Sequence, residues 1–186
     1  EKYKSLEIPY NRIYMFYGPP GTGKTTLIQA LASHFDKNIA NIEFDGETND
    51  RTFKKMLRRV PPNTIVCIED IDCLFEDSTS LDCAKNGVTF SGILNALDGI
   101  SKLNQKIIII TTNYLNRLDD ALKRRVDHFT KFDYSTKYQV SEIYKRFFPD
   151  SDGFDLFWEE IKDLKITPNI LQKLFVRHLN DPKDIN

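Results

Sequence analysis

Several features that would assign a chain to a class of protein at once are scarce in this sequence. There are three cysteines, Cys67, Cys73 and Cys83, with no C-x-x-C pair and no secretory signal, which indicates reduced thiols. No apolar stretch approaches the roughly 18 residues of a membrane span, and Ile107–Ile110 is typical of a short buried strand. The formal net charge is −1, so no overall positive field points to a nucleic acid or an anionic membrane as partner.

The composition is that of a folded domain. Of 186 residues, 40% are hydrophobic, which suffices for a buried core in one α/β domain with a small appendage. The sequence contains neither internal repeats nor low-complexity tracts. It opens at Glu1 without an initiator methionine, and we therefore expect any targeting or membrane segments to lie outside it.

Apolar runs alternate with helical patterns along residues 1–134. This alternation predicts an α/β fold, with a five-stranded parallel sheet flanked by helices. The predicted strands are Asn11–Tyr17, Asn38–Phe44, Thr64–Ile68, Lys106–Thr112 and Asp127–Asp133. The predicted helices between them are Lys24–Phe35, Asp50–Arg59, Thr89–Leu97 and Asp119–Arg124.

From residue 135 onward the sequence predicts helices only. We expect a helical lid over 135–186, separate from the core over 1–134, with helices Lys137–Phe147, Asp155–Leu164 and one that starts at Pro168 after a Thr167 cap. Large apolar residues recur there at helical spacing and predict a packed lid core rather than a ligand site: Phe147, Phe148, Phe154, Phe157, Trp158, Leu171, Leu174 and Phe175.

Residues Gly18–Thr25 fit the P-loop pattern G-x-x-x-x-G-K-[ST] and follow the strand-like run Ile13–Tyr17. Glycines allow backbone angles that turn successive N–H groups towards phosphate oxygens. The helix that follows directs the positive end of its dipole to the same anion. The predicted nucleotide-binding residues are Gly18, Pro19, Pro20, Gly21, Thr22, Gly23, Lys24, Thr25 and Thr26.

Two residues of this set have distinct predicted roles. Lys24 supplies a positive charge to the phosphates, and the hydroxyl of Thr25 is expected to bind Mg²⁺. The predicted cofactors are therefore ATP and Mg²⁺. The alternative is a glycine-rich turn with a chance Lys-Thr, which the preceding strand and the following amphipathic helix disfavour.

Acidic residues follow the third predicted strand. Thr64–Ile68 runs into Glu69-Asp70-Ile71-Asp72, which places carboxylates at the carboxyl edge of the sheet, where ligands bind in this architecture. We interpret this segment as a Walker B element, in which Glu69 helps to hold Mg²⁺ and Asp70 polarises the attacking water. This reverses the common Asp-Glu order and shortens the base by one methylene. The alternative is that these acids cap a solvated turn.

Asn113 directly follows the next predicted strand, Lys106–Thr112, and a basic run comes after it. In P-loop ATPases this strand lies between the P-loop strand and the Walker B strand, so Asn113 is expected to sense the γ-phosphate and the attacking water. Lys123-Arg124-Arg125 comes after a predicted short helix. A basic run is usually a solvated surface, but its position after a sensor-like Asn favours an arginine finger that reaches a neighbouring subunit.

This ordered set of motifs resembles the AAA ATPases. A finer resemblance is to the mitochondrial Rieske-protein translocase family. The segments that carry it are Ile8-Pro9-Tyr10, Tyr17–Gly21, Glu69–Asp72, Thr89–Gly99, Thr111–Asp119, Tyr144–Pro149 and Ile166-Thr167-Pro168. They extend over nearly the whole chain, and Phe90–Gly99 is the most specific to that family.

The resemblance implies an ATP hydrolase that forms a homo-oligomeric ring. It also implies a protein cargo, in that family a folded iron–sulfur subunit moved during assembly of respiratory complex III. The location implied is the inner mitochondrial membrane with the ATPase domain in the matrix, anchored by segments outside this sequence. Nucleic acid is not an expected partner.

The chain departs from that family at the arginines. The family pattern is an apolar residue followed by Arg-Pro-Gly-Arg-Val-Asp, whereas this chain reads Lys123-Arg124-Arg125-Val126-Asp127, two residues shorter. Both arginines are present, but the turn that separates them is not. We assign the finger to the pair, and either the ring interface is altered or the finger is repositioned.

Other functions stay open at this stage. A small-molecule kinase would share the P-loop but would need an acceptor site and lid arginines. A nucleotide-dependent switch or scaffold with little hydrolysis is compatible with the short Asp70 base and the shortened turn. Phe44-Asp45-Gly46-Glu47 is only weakly similar to a pore loop that threads peptides, and Phe44 is predicted to end a strand and to pack in the core. This favours the handling of folded cargo.

Overall fold

The computed structural model describes residues 12–44, 48–74, 87–100 and 106–179. The chain separates into two compact units. One holds the described residues of Glu1–Tyr17 and Lys24–Lys131, and the other holds those of Gly18–Gly23 and Phe132–Asn186. The predicted boundary after residue 134 stays a prediction. Cys83, Ile8-Pro9-Tyr10 and Asp45-Gly46-Glu47 lie outside the described residues.

The first unit is built on a five-stranded parallel sheet, which confirms the predicted fold class. Its strand order is β2-β3-β4-β1-β5, so β4 lies between β1 and β3 as predicted. The strands are β1 Arg12–Tyr17, β2 Asn38–Asn41, β3 Thr64–Ile68, β4 Ile107–Thr112 and β5 His128–Lys131. The helices of this unit are α1 Lys24–His34, α2 Asp50–Arg59, α3 Phe90–Ile100 and α4 Asp120–Lys123.

The sequence explains why β3 and β4 are central. Every residue of β3 is buried, and β4 is buried from Ile108 onward. Continuous apolar runs of this kind occur where both faces of a parallel sheet are covered. Ile68, Ile108 and Ile110 belong to one core with residues of the helices, among them Phe53, Leu57 and Ile93.

The second strand is shorter than predicted. It ends at Asn41, opposite Cys67 of β3, and one further bond joins the N–H of Ile42 to the carbonyl of Cys67 at 2.8 Å. Because β3 itself ends at Ile68, no partner remains for a strand that reaches Phe44. Phe44 packs against the core, with its ring 5.3 Å from that of Phe53. Its predicted packing is confirmed, and its predicted place in the strand is wrong.

The second unit contains three helices, α5 Lys137–Phe147, α6 Phe154–Ile161 and α7 Pro168–Arg177. Capping residues start two of them: the side chain of Thr136 accepts the N–H of Gln139, and that of Thr167 accepts the N–H of Ile170. The Thr167 cap confirms the prediction, whereas the Thr136 cap was not predicted. All of the large apolar residues predicted for the lid core lie in one cluster around Tyr144. No helix in the described ranges is long and apolar enough to cross a membrane.

Candidate functional site

The P-loop residues 18–23 adopt a conformation that requires glycine. Gly18, Gly21 and Gly23 have φ angles of 143°, 76° and 99°, which side-chain-bearing residues rarely adopt. A Cβ on Gly18 would lie 2.0 Å from the carbonyl oxygen of Phe132, so the two backbones meet in close contact. The hydroxyl of Thr22 donates to the carbonyl of Pro19 at 2.8 Å. These contacts hold the loop in one shape.

Residues of the second unit also hold the loop at Gly21. The backbone N–H of Asn169, at the start of α7, donates to the carbonyl of Gly21 at 3.2 Å. A Cβ on Gly21 would lie 3.1 Å from the hydroxyl oxygen of Thr167, the cap of the same helix. The P-loop is thus packed directly against the first turn of α7.

Lys24 follows the loop as the first residue of α1. Its side chain is buried, and its ammonium donates to Oδ1 of Asn113 at 2.7 Å. Burial lowers the pKa of Lys24, and the charges of Asp70, Asp72 and Glu69 oppose this shift. The structure therefore brings the predicted phosphate-binding lysine and the predicted sensor into direct contact.

The two predicted metal-binding residues also meet. The hydroxyl of Thr25 donates to Oε2 of Glu69 at 2.7 Å. The thiol of Cys67 lies 3.7 Å from Oε1 of the same carboxylate, and burial together with Glu69 raises the pKa of Cys67 to about 12. That thiol stays protonated and can donate. Hydroxyl and carboxylate oxygens are ligands that Mg²⁺ prefers, so this donor set fits the ion. Thr26 is exposed on α1.

Asp70 has an unusual backbone. Its φ is 47°, in a left-handed region where non-glycine residues are uncommon. Its N–H donates to the hydroxyl of Thr111 at 2.9 Å, and its Oδ1 accepts from Nδ2 of Asn113 at 3.2 Å. Partial burial and then the charge of Asp72 raise the pKa of Asp70. A carboxylate that is more basic than usual suits a general base.

The amide of Asn113 can take only one orientation here. An ammonium group donates and never accepts, so Oδ1 must face Lys24 and the NH₂ group must face Asp70. Asp72, which is buried, accepts the backbone N–H of Asn113 on Oδ1 at 3.1 Å. We call these interacting residues the strand-end cluster: Lys24, Thr25, Glu69, Asp70, Asp72 and Asn113.

The sequence alone did not assign a separate role to two residues, Thr111 beside the cluster and Asp72 within it. Thr111 is buried in β4 and bonds to the backbone of Asp70, and Asp72 bonds to the backbone of Asn113. The visible signal for Thr111 was a pair of threonines, Thr111 and Thr112, that ends an apolar strand. For Asp72 it was a second acid two residues after the base.

The two predicted finger arginines do not contact the strand-end cluster. Their environments differ, because Arg125 is ion-paired and Arg124 is exposed. Arg125 donates to both carboxylate oxygens of Asp98, from Nε at 2.7 Å and from Nη2 at 2.8 Å. Its Nη1 also donates to the carbonyl of Ala121 at 2.8 Å. Arg124, the residue that caps the C-terminus of α4, is exposed, and its side chain has no partner within the described ranges.

Comparison with known proteins agrees with this geometry. Residues 14–134 match the model of the ATPase family associated with various cellular activities (AAA). Residues 137–185 match the model of the ATPase lid domain of mitochondrial chaperone BCS1-like proteins.

Individual relatives and solved structures point the same way. The chain is 39% identical to the probable mitochondrial chaperone bcs1 of Schizosaccharomyces pombe over 98% of its own length and 42% of that protein. It is 34% identical to human mitochondrial chaperone BCS1 over 97% of its own length and 46% of that protein. It thus spans less than half of these relatives. A solved structure of Thermotoga maritima RuvB has the same fold, with a TM-score of 0.68, 19% identity, and coverage of 95% of this chain and 56% of that one.

The two family models together test the resemblance to AAA ATPases that the sequence motifs indicated. The AAA model alone covers well over half of the chain, and the lid model covers most of the remainder. The family resemblance predicted from the motifs is confirmed. The chain belongs to the AAA family of ATPases, and its C-terminal helices match the BCS1-like lid domain.

Proposed function

We propose that this protein is an Mg²⁺-dependent ATP hydrolase that works as a homo-oligomeric ring. The observation that carries the proposal is the side chain of Asn113, which bonds to Lys24 on one side and to Asp70 on the other. A phosphate-binding ammonium and a water-activating carboxylate must lie on either side of the γ-phosphate for hydrolysis. The amide of Asn113 contacts both of these groups, which supports a role of this site in ATP hydrolysis.

Each residue then has a defined part. The P-loop backbone and Lys24 would bind the phosphates, while Thr25 and Glu69 would hold Mg²⁺, whose charge would offset that of the phosphates. Asp70 accepts a proton from the attacking water, and its raised pKa favours that transfer. Asn113 orients the water.

The ring and the cargo are further parts of the proposal. Arg124 supplies the finger to a neighbouring copy, since Arg125 is engaged by Asp98 of its own chain. The cargo is a protein, and a folded iron–sulfur protein is the candidate that the family resemblance implies. Relatives named as mitochondrial chaperones support a mitochondrial location. Attachment to the inner membrane would come from segments outside this sequence.

Two variants test the hydrolase. Lys24→Ala should abolish ATP binding, because it removes the charge that binds the phosphates in the ground state. Asp70→Asn should keep binding and stop hydrolysis, because it removes only the base. ATP affinity and phosphate release are measured for each. If Asp70→Asn hydrolyses ATP near the wild-type rate, Asp70 is not the base.

The same assay separates the rival functions. Phosphate release without a phosphorylated acceptor excludes a small-molecule kinase. A wild-type protein that binds ATP with Mg²⁺ but does not turn it over would instead be a nucleotide-dependent switch or scaffold.

A further inference from the structure

Asp72 is the one member of the strand-end cluster to which the proposed hydrolysis gives no part. It is 3% exposed, and its Oδ2 is buried without a hydrogen-bond partner within the described residues. A buried carboxylate with an unsatisfied oxygen destabilises a fold. A side chain with that cost and no role in the apolar core calls for a functional explanation.

The position of Asp72 provides one. It lies in the short 3₁₀ helix Ile71–Leu74, which follows directly from Asp70. Two hydrogen bonds join residues 70–72 to the end of β4. The N–H of Asp70 donates to the hydroxyl of Thr111, and the N–H of Asn113 donates to Oδ1 of Asp72. The first bond holds the backbone of the base, and the second holds the backbone of the sensor.

The bond from the N–H of Asn113 to Asp72 influences both side-chain contacts of Asn113. Since the amide of Asn113 contacts Lys24 and Asp70 at once, a shift of its backbone displaces both contacts. Asn113 comes directly after the last residue of β4, so the sheet no longer holds its N–H. Asp72 is the group that holds it.

We propose that Asp72 is a positioning residue for ATP hydrolysis, acting through the backbone of Asn113. The inference rests on the proposed hydrolase function. Asp72 does not touch the reacting atoms in this scheme. It holds the sensor where the amide can contact the lysine and the base together.

The proposal is tested in the assembled protein by steady-state hydrolysis and ATP binding. Asp72→Ala should lower the turnover rate about 10²-fold, the scale expected for a displacement of about 1 Å, and should leave ATP affinity nearly unchanged. Asp72→Asn should recover part of the rate, because an amide oxygen can still accept the N–H of Asn113. Asp50→Asn is the control and should leave turnover close to the wild-type rate, since Asp50 also accepts a backbone N–H, that of Thr89 at 2.7 Å, and is not a member of the strand-end cluster.

A double-mutant cycle identifies the route of the effect. If Asp72 acts through Asn113, Asp72→Ala should add little to the loss already caused by Asn113→Ala. Independent, multiplying losses would overturn the proposal, as would equal losses of binding and turnover that follow the unfolded fraction. Failure of the hydrolase function looks different, because the wild-type protein itself would then release no phosphate, and the role given to Asp72 would fall with it.

Discussion

The strand-end cluster and the arginine pair Arg124 and Arg125 both supply polar groups to the proposed reaction, and the fold holds them very differently. In the cluster five side chains contact one another, Lys24 with Asn113, Thr25 with Glu69, and Asp70 with Asn113, and the sixth, that of Asp72, accepts the backbone N–H of Asn113. In the pair only Arg125 is held, by Asp98, while Arg124 is exposed.

The difference indicates what one chain can complete by itself. Parallel strands that end side by side bring their C-terminal side chains together, so one subunit can assemble the cluster. Arg124, exposed at the end of a four-residue helix, has no side-chain partner in the part of its own chain that the structure describes. Its proposed role needs a second copy. Each of the following predictions alters one side of this comparison.

The largest effect is expected from Arg124→Ala. A finger supplied by a neighbouring subunit is worth about 10³–10⁵ in rate, so this variant should nearly lose hydrolysis and keep ATP affinity. Arg125→Ala is the matched variant and should retain far more activity, because that guanidinium is bound to Asp98. Phosphate release and ATP binding are measured for both. The reverse ranking would assign the finger to Arg125.

A mixing experiment tests whether the finger acts between copies. Arg124→Ala subunits still carry Asp70, and Asp70→Asn subunits still carry Arg124. When the two inactive variants assemble together, some interfaces combine an intact base with an intact finger, and activity should partly return. A mixture that co-assembles but stays inactive would show that Arg124 does not reach its neighbour, and would favour the switch or scaffold.

A smaller effect is expected from Thr111→Val, a change at the residue that holds the backbone of Asp70. The change keeps the shape of the side chain and removes the acceptor for the N–H of Asp70, which should lower the free energy of unfolding by about 0.5–1.5 kcal/mol. Hydrolysis should fall as well, because Asp70 loses the bond that holds its left-handed backbone. Urea unfolding and phosphate release are measured together.

Thr64→Val is the control for that variant. Thr64 is the first residue of β3, at the other end of the sheet, is also buried, and donates its hydroxyl to the carbonyl of Pro62 at 3.2 Å. Its replacement should cost similar stability but leave the rate much closer to that of the wild type. Equal losses of rate in the two variants would mean that Thr111 matters only for folding.

Much of the cluster could be predicted from the sequence, because its members occupy strand ends and a motif. Glu69 and Asp70 follow β3, Asn113 follows β4, and Lys24 is fixed by the P-loop pattern. The central strands β3 and β4 were predictable for a different reason, since continuous apolar runs mark buried parallel strands. The end of β2 was not, because it depends on where its partner stops.

The supporting bonds could not be predicted from spacing. The contact between Asp72 and Asn113 depends on the register of β3 against β4, in which Ile68 lies opposite Ile110. The left-handed backbone of Asp70 leaves no mark in the sequence. The distinction between Arg124 and Arg125 rests on Asp98, which lies 27 residues before Arg125 in the chain. These features come from tertiary contacts rather than from local patterns.

The smallest effect is expected from the pH dependence of stability, which tests the pairing of Arg125 with Asp98. The hydrogen bond from Arg125 lowers the pKa of Asp98 below its ordinary value. A carboxyl group whose pKa is lowered by folding adds stability above its unfolded pKa of about 3.9, and that stability is lost as the pH falls through the lower folded value. Since 51% of the Asp98 side chain is exposed, we expect only about 0.2–1 kcal/mol at neutral pH.

Carboxyl-carbon NMR of Asp98 measures this pairing directly. In the wild-type protein the carboxyl should titrate below about 3.9, and in Arg125→Ala it should return towards that ordinary value. Arg124→Ala is the control and should leave the titration unchanged, because Arg124 has no acidic partner within the described ranges. If Arg124→Ala shifted the pKa of Asp98 as much as Arg125→Ala does, the two arginines would share the carboxylate. The structural reason for choosing Arg124 as the finger would then be lost, and the finger would again belong to the pair.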